Sequence, residues 1–126
     1  IIEFARGGER DYRYSIPKLS EEILKRAAIL YVKVSFDESW RRNVARYEEK
    51  MAHSILAHMV PRETMDTFYT TDDWDILTDK RPNGYLDLQR IKVPFVTMNN
   101  EPELKERGPL SDRYGNVLNK LWELQP

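Results

Sequence analysis

The densest apolar run in the chain, Ala28 to Val34 (A-I-L-Y-V-K-V), is β-branched and nearly continuous, the pattern of a strand buried on both faces. Beyond it, Trp40, Val44 and Tyr47 recur at i, i+4 and i+7 and share one helical stripe able to pack on a sheet. Ser35 with Glu38 three residues later fits a capping box, so a helix is predicted to begin near Phe36 or Asp37 and to continue to Glu49. Upstream, Ile1 to Phe4 is a short apolar strand candidate interrupted by Glu3, leading into a loop from Ala5 to Ser15. Pro17 closes that loop, and Ser20-Glu21-Glu22 opens a helix whose inner face is Ile23, Leu24 and Ala27.

After Glu49 the periodicity loosens into short helical pieces, Met51 to Met59 and Thr64 to Tyr69, with Pro61 placed to start the second. Thr71-Asp72-Asp73-Trp74-Asp75 is an acidic run that reads better as a cap at Thr71, with two acids in the first turn, than as a metal or substrate site. Asn83-Gly84 signals a turn, Tyr85 to Leu88 alternates, and Ile91 to Met98 is a second apolar run. Pro94 within it predicts an exposed or irregular start, because proline cannot donate to a sheet ladder. Asn99 to Gly108 is a polar connector. Leu110 to Leu124 is a helix weakened by Gly115, with Val117, Leu118, Leu121, Trp122 and Leu124 as its buried face. Strand, loop, helix, strand and helix in that order imply parallel pairing through crossovers. The expected fold is a single α/β domain over residues 1–126, a mainly parallel sheet flanked by helices in three layers.

Composition narrows the function more than the fold. The 126 residues carry 20 basic and 21 acidic side chains, a formal charge of −1, so the basic excess of a nucleic-acid footprint is missing. There is no cysteine, which excludes disulfides, thiolate catalysis and zinc–thiolate sites and makes a cytoplasmic setting the default. The apolar runs are too short to span a bilayer, so no membrane partner is expected, and no signal peptide is visible. His53 and His58 lie five apart, a poor spacing for a shared metal on one helical face, and no metal site is expected.

Candidate chemistry therefore rests on local charge. Arg42 and Arg46 fall together on one helical face, flanked by Arg41 and Asn43. They read either as a solvated face paired with Glu38, Glu48 or Glu49, or as an arm whose guanidinium forks take phosphate oxygens. The early loop holds Gly7-Gly8 with Arg6, Arg10 and Arg13, directly after Glu3. A carboxylate at a strand end followed by a basic glycine loop suits a site at the carboxyl edge of a parallel sheet, although Glu3 reads equally as the outward residue of an edge strand.

With I-I-E-F-A-R at a strand end, the strand I-L-Y-V-K-V-S, the arm R-R-N-V-A-R and a final V-P-F-V-T-M-N-N before a terminal helix, the chain resembles the later portion of a P-loop nucleoside or nucleotide kinase. The resemblance implies a P-loop-like fold incomplete at its amino end and ATP-dependent phosphorylation of a small hydroxyl compound, nucleoside or nucleotide, with ATP and Mg²⁺ as cofactors. It implies catalytic roles for Glu3 as the acid, Arg6 as the acceptor-side arginine, and Arg42 and Arg46 as lid arginines, with Arg10, Arg13 and Arg41 binding substrate. No G-x-x-x-x-G-K-[ST] occurs in the chain, so the resemblance places a glycine-rich phosphate loop upstream of Ile1. The alternative is a phosphate- or nucleotide-binding module, or a protein-interaction domain, that lacks the catalytic half. The expected partner is a small phosphate-containing ligand, and a homodimer is left open.

Overall fold

The structure, a computed structural model, describes residues 1–125. The chain opens with a 3₁₀ turn (Gly8–Arg10), helix α1 (Tyr12–Ser15), a second 3₁₀ turn (Ile16–Lys18) and helix α2 (Glu21–Leu24). Strand β1 (Ile29–Lys33) leads into helix α3 (Phe36–Met51), followed by α4 (Arg62–Tyr69) and α5 (Trp74–Leu77). A hairpin of β2 (Asn83–Leu88) and β3 (Ile91–Asn99) precedes helix α6 (Arg107–Glu123).

The sheet has three strands in the order β1-β3-β2. β1 runs parallel to β3, Ile29 beside Phe95 and Lys33 beside Asn99, whereas β2 runs antiparallel to β3 with Leu88 beside Ile91. This corrects the expectation of a three-layer, mainly parallel, P-loop-like architecture: the sheet is small and mixed. Two local causes are visible. Ile1 to Phe4 forms no strand, and Ile1, Ile2 and Phe4 are all exposed. The chain also reverses at Gln89-Arg90, whose φ angles of 51° and 70° are those of a two-residue type I′ turn, which joins antiparallel strands. The expected turn residues Asn83 and Gly84 lie inside β2 instead, preceded by Asp79 and Lys80 at φ 53° and 54°.

Pro94 sits in the central strand, buried, and not at an irregular edge. Bonding alternates along an antiparallel ladder, and the pair flanking a two-residue turn is hydrogen-bonded. Even-numbered residues of β3 therefore direct their nitrogens away from β2, while odd ones such as Thr97 donate toward that side, here to the Pro82 carbonyl at 2.8 Å. The Pro94 nitrogen faces the β1 side one residue before β1 begins to pair at Phe95, so the missing N–H leaves no gap in the ladder.

One sheet face carries the main core, in which Leu86, Leu88, Val93 and Phe95 pack with Ile16, Leu24 and Trp74. Trp74 stacks on Tyr31 at 4.6 Å, meets Tyr12 and Phe95 edge-on, and donates its indole N–H to Thr97 Oγ1 at 2.8 Å. Burial and the adjacent Asp72 carboxylate, which accepts the Tyr31 hydroxyl, push that phenol above its ordinary range. The other face of β3 is covered by α6, and Tyr85 donates its hydroxyl to the Leu124 carbonyl at 2.8 Å. Val117, Leu121 and Leu124 are half-buried there, but Leu118 and Trp122 of the expected buried face stand exposed with Tyr114 as an i, i+4, i+8 stripe.

The helical ends show which caps formed. Ser35 Oγ accepts the Glu38 N–H, and Ser20 Oγ accepts that of Ile23, both as expected. The reciprocal half of the Ser35 box does not form, because the Ser35 N–H donates to Glu101 at 3.0 Å while the Glu38 carboxylate turns to arginines. Met51 to Met59 forms no separate helix: α3 ends at Met51 and turns follow. Thr71 is not a helix cap. Asp73 precedes α5, and its buried carboxylate accepts the N–H groups of Tyr12 and Arg13 at 2.9 and 3.0 Å, tying α5 across 61 and 60 residues of sequence to the start of α1, whose own cap is Asp11.

Candidate functional site

Parallel pairing of β1 and β3 brings Val34 and Asn100, the residues just past their carboxyl ends, to the same sheet edge. α3 leaves that edge directly after Ser35. A second wall comes from the segment entering α4, fixed by two contacts. Asn43, buried inside α3, donates to the Val60 carbonyl at 2.9 Å and accepts the Val60 N–H at 3.2 Å, so one amide pins the loop as a strand partner would. Two residues on, the Arg62 guanidinium lies 4.8 Å from the Phe36 ring centroid and 4.9 Å from that of Trp40, holding the start of α4 against α3.

Between these walls is a cleft of about 200 Å³ lined by polar Ser39, Arg42, Asn43, Arg46 and Asn100 and by Val34, Val60, Met65 and Tyr69. Its two arginines differ in kind. Arg42 has a side chain only 12% exposed; its Nε–H donates to Glu38 at 2.7 Å and its Nη2 to the Asn100 carbonyl at 2.6 Å. Five N–H donors are present on a guanidinium, so Arg42 keeps three with no protein acceptor among the described residues. Arg46, four residues on and one helical turn along, is exposed and makes no ion pair among the described residues.

Glu38 is the anchor of this arrangement. It accepts Arg41 through both oxygens at 2.6 and 2.7 Å as well as Arg42, and these hydrogen bonds hold its carboxyl at about 2, well below the usual carboxylate range. Arg41 also reaches Glu103 at 2.7 Å, lowering that carboxyl too, and its own guanidinium is pushed up by the two acids. The local charge of Arg41 and Arg42 is thus offset by Glu38 and Glu103, whereas that of Arg46 is not. Among the described residues, no acidic side chain lines the cleft.

Comparison with protein-family models, with curated proteins and with solved structures gives no match. The site is therefore read from its own residues.

Arg42 and Arg46 come together in the cleft, and Arg41 stands beside them on Glu38 without lining it. Glu3, Arg6, Arg10 and Arg13 are not among the lining residues. Glu3 is exposed in a segment without secondary structure, and Arg6 lies 5.6 Å over the Phe4 ring with Nη1 toward the Ala5 carbonyl. Arg10 ends the first 3₁₀ turn, its carbonyl accepting the Ser15 hydroxyl, and Arg13 enters the structure through its backbone N–H on Asp73. Of the two amides that shape the cleft, the sequence places Asn43 only as a flank of the arginine face and gives Asn100 no role. Asn43 did carry a signal: asparagine is unfavourable in a helix interior, so a mid-helix asparagine on the inner side needs a partner.

Proposed function

We propose that the chain binds the phosphate group of a small molecule in the cleft between α3, α4 and the carboxyl edge of β1 and β3. The carrying observation is Arg42, a largely buried guanidinium fixed by Glu38 and the Asn100 carbonyl yet holding free donors, beside an Arg46 that lacks an acidic partner. A fixed planar fork binds an oxyanion without first losing side-chain freedom, and charge-assisted bonds to it are the strong class. Pockets that enclose a drug-sized ligand run to about 300–1,000 Å³; this one, at about 200 Å³, accommodates a phosphate and the atoms next to it. Val34, Val60, Met65 and Tyr69 supply apolar contact for those atoms.

The binding module is preferred to ATP-dependent phosphoryl transfer on the donor set. Mg²⁺ takes oxygen ligands, commonly one or two carboxylates, and among the described residues no carboxylate lines the cleft, so its residues do not fit that ion. One feature keeps the kinase-like reading as the second choice: the arginine arm follows β1 directly, at the edge where the resemblance puts it.

Thermal unfolding with added phosphate, pyrophosphate, AMP and ATP, each with and without Mg²⁺, tests both. A ligand at one hundred times its dissociation constant stabilises by about 2.7 kcal/mol, and Arg42→Lys should remove most of the shift while Arg46→Ala removes only a small part of it. No shift with any of these anions, or an equal shift in both variants, would sink the proposal. Mg²⁺-dependent release of labelled phosphate from ATP would instead favour transfer.

A further inference from the structure

We propose that two copies of the chain associate through the free edges of their β1 strands, pairing antiparallel about a twofold axis at Tyr31 to make one continuous six-stranded sheet. The register follows from the backbone. Lys33 accepts the Asn100 N–H through its carbonyl, so Ile29, Tyr31 and Lys33 direct their amide groups toward β3, and Leu30 and Val32 direct theirs outward. Those outward groups have no hydrogen-bond partner among the described residues. In an antiparallel pair, residues that both point outward form the hydrogen-bonded pairs. Leu30 of one copy therefore stands opposite Val32 of the other, and the reverse pair follows by symmetry. Each pair exchanges two N–H···O bonds, and the self-complementary pattern is what an isologous contact requires. On the face away from the main core, the 43% exposed Val32 side chain then lies beside Leu30 of the second copy.

The two edges of the sheet are not alike. At the β2 edge Arg81 reaches the outward Tyr85 carbonyl at 3.5 Å and Asp87 stands as an exposed charge, while Pro82 precedes the strand. Such features blunt an edge against pairing. β1 has neither a proline nor a bulge, and its single charge, Lys33, is engaged by Asp75 at 2.8 Å. A contact of five residues a side is smaller than the roughly 800 Å² per partner of stable complexes, so the pairing is weak and concentration-dependent.

Analytical ultracentrifugation of the chain from micromolar to about 1 mM, the weak end of measurable association, should show a monomer–dimer equilibrium. Val32→Pro removes only an outward N–H and should abolish the dimer while leaving far-UV circular dichroism unchanged. Because the chain has no cysteine, Val32→Cys should be joined to its copy by a short bis-maleimide, whereas Asp87→Cys on the opposite edge should not. This readout stands if the proline variant fails to fold. A monomer throughout, a dimer that survives Val32→Pro with cross-linking absent, or equal cross-linking at both edges overturns the proposal. Survival of the dimer would shift attention to the Tyr114, Leu118 and Trp122 stripe of α6.

Discussion

Replacing Asp73 with alanine should cost more than any surface change in this protein, and the amount follows from two bonds. Asp73 is 7% exposed, and its carboxylate accepts the first two N–H groups of α1, those of Tyr12 and Arg13, at 2.9 and 3.0 Å. Alanine removes the acceptor and strands two part-buried donors. Hydrogen bonds to charged groups contribute about 1.5–3 kcal/mol each, and at the low end, suited to part-buried donors, the two together give a loss near 3 kcal/mol. Unfolding entropy scales as about 2.1 cal/mol/K per residue, or roughly 0.26 kcal/mol/K for a chain of this length, so the midpoint should fall by about 10 °C. Asp73→Asn keeps one acceptor oxygen and turns its NH₂ toward the second donor, so it should lose roughly half as much.

The assay is urea unfolding followed by tryptophan fluorescence and circular dichroism together. Of the three tryptophans, Trp74 is the neighbour of Asp73 and is buried, Trp40 is half-buried in α3 and Trp122 is 80% exposed, so the assay is run with Trp40→Phe and Trp122→Phe in the background and the emission change then reports the core beside the mutated residue. A loss below about 1 kcal/mol for Asp73→Ala would refute the assignment of α1 and α5 to one hydrogen-bonded unit. Anion binding at the α3 and α4 cleft should persist in the folded variant, because Asp73 is not among the cleft-lining residues and its carboxylate is engaged by Tyr12 and Arg13 instead.

Two further changes probe other joints of the structure. Gly7→Ala should destabilise by about 2 kcal/mol or more, measured by urea unfolding, since a Cβ there would overlap the Thr71 carbonyl oxygen and come within 2.9 Å of that of Phe68, both backbone atoms. Glu38→Gln should remove a pH-dependent contribution: a carboxyl lowered from 4.5 to about 2 stabilises fully above pH 4.5 and loses that effect as pH falls toward 2. The stability difference between the two proteins should accordingly close between about pH 4.5 and pH 2, and a gap that persists at pH 2 would show that the Arg41 and Arg42 clamp is not its origin.

What the sequence made legible was local. Ser20 and Ser35 announced helix starts through their own side chains, and the apolar runs at Ile29 and Ile91 marked the two strands that pair in parallel. The sheet was misjudged where a turn lacked its usual residues: Gln89 and Arg90 hold positive φ without glycine or asparagine, because the flanking β2 and β3 pairs enforce the reversal. Long-range partners were invisible for a related reason. Nothing near Asp73 indicates that its carboxylate belongs to an N–H pair 60 residues upstream, and a cap placed by proximity at Thr71 was the natural but mistaken choice. At the cleft, spacing did put Arg42 and Arg46 on one helical face, but only tertiary structure separates them into a clamped guanidinium and a free one.

That separation decides where affinity for an anion would come from. An exposed arginine with free rotamers gives up about 2 kcal/mol of side-chain entropy when fixed and gains at most about 1 kcal/mol from an exposed ion pair in salt, so Arg46 by itself supplies little. Arg42 has already been immobilised by Glu38 and Asn100, and its ordering is part of the folding free energy instead of the binding free energy. The Glu38 carboxylate lowers the local positive potential, yet it leaves three donors of Arg42 without a protein acceptor among the described residues. Binding in such a site depends on geometry more than on net charge, which is consistent with a chain that carries a formal charge of −1 and still presents a cleft that no acidic side chain lines among the described residues.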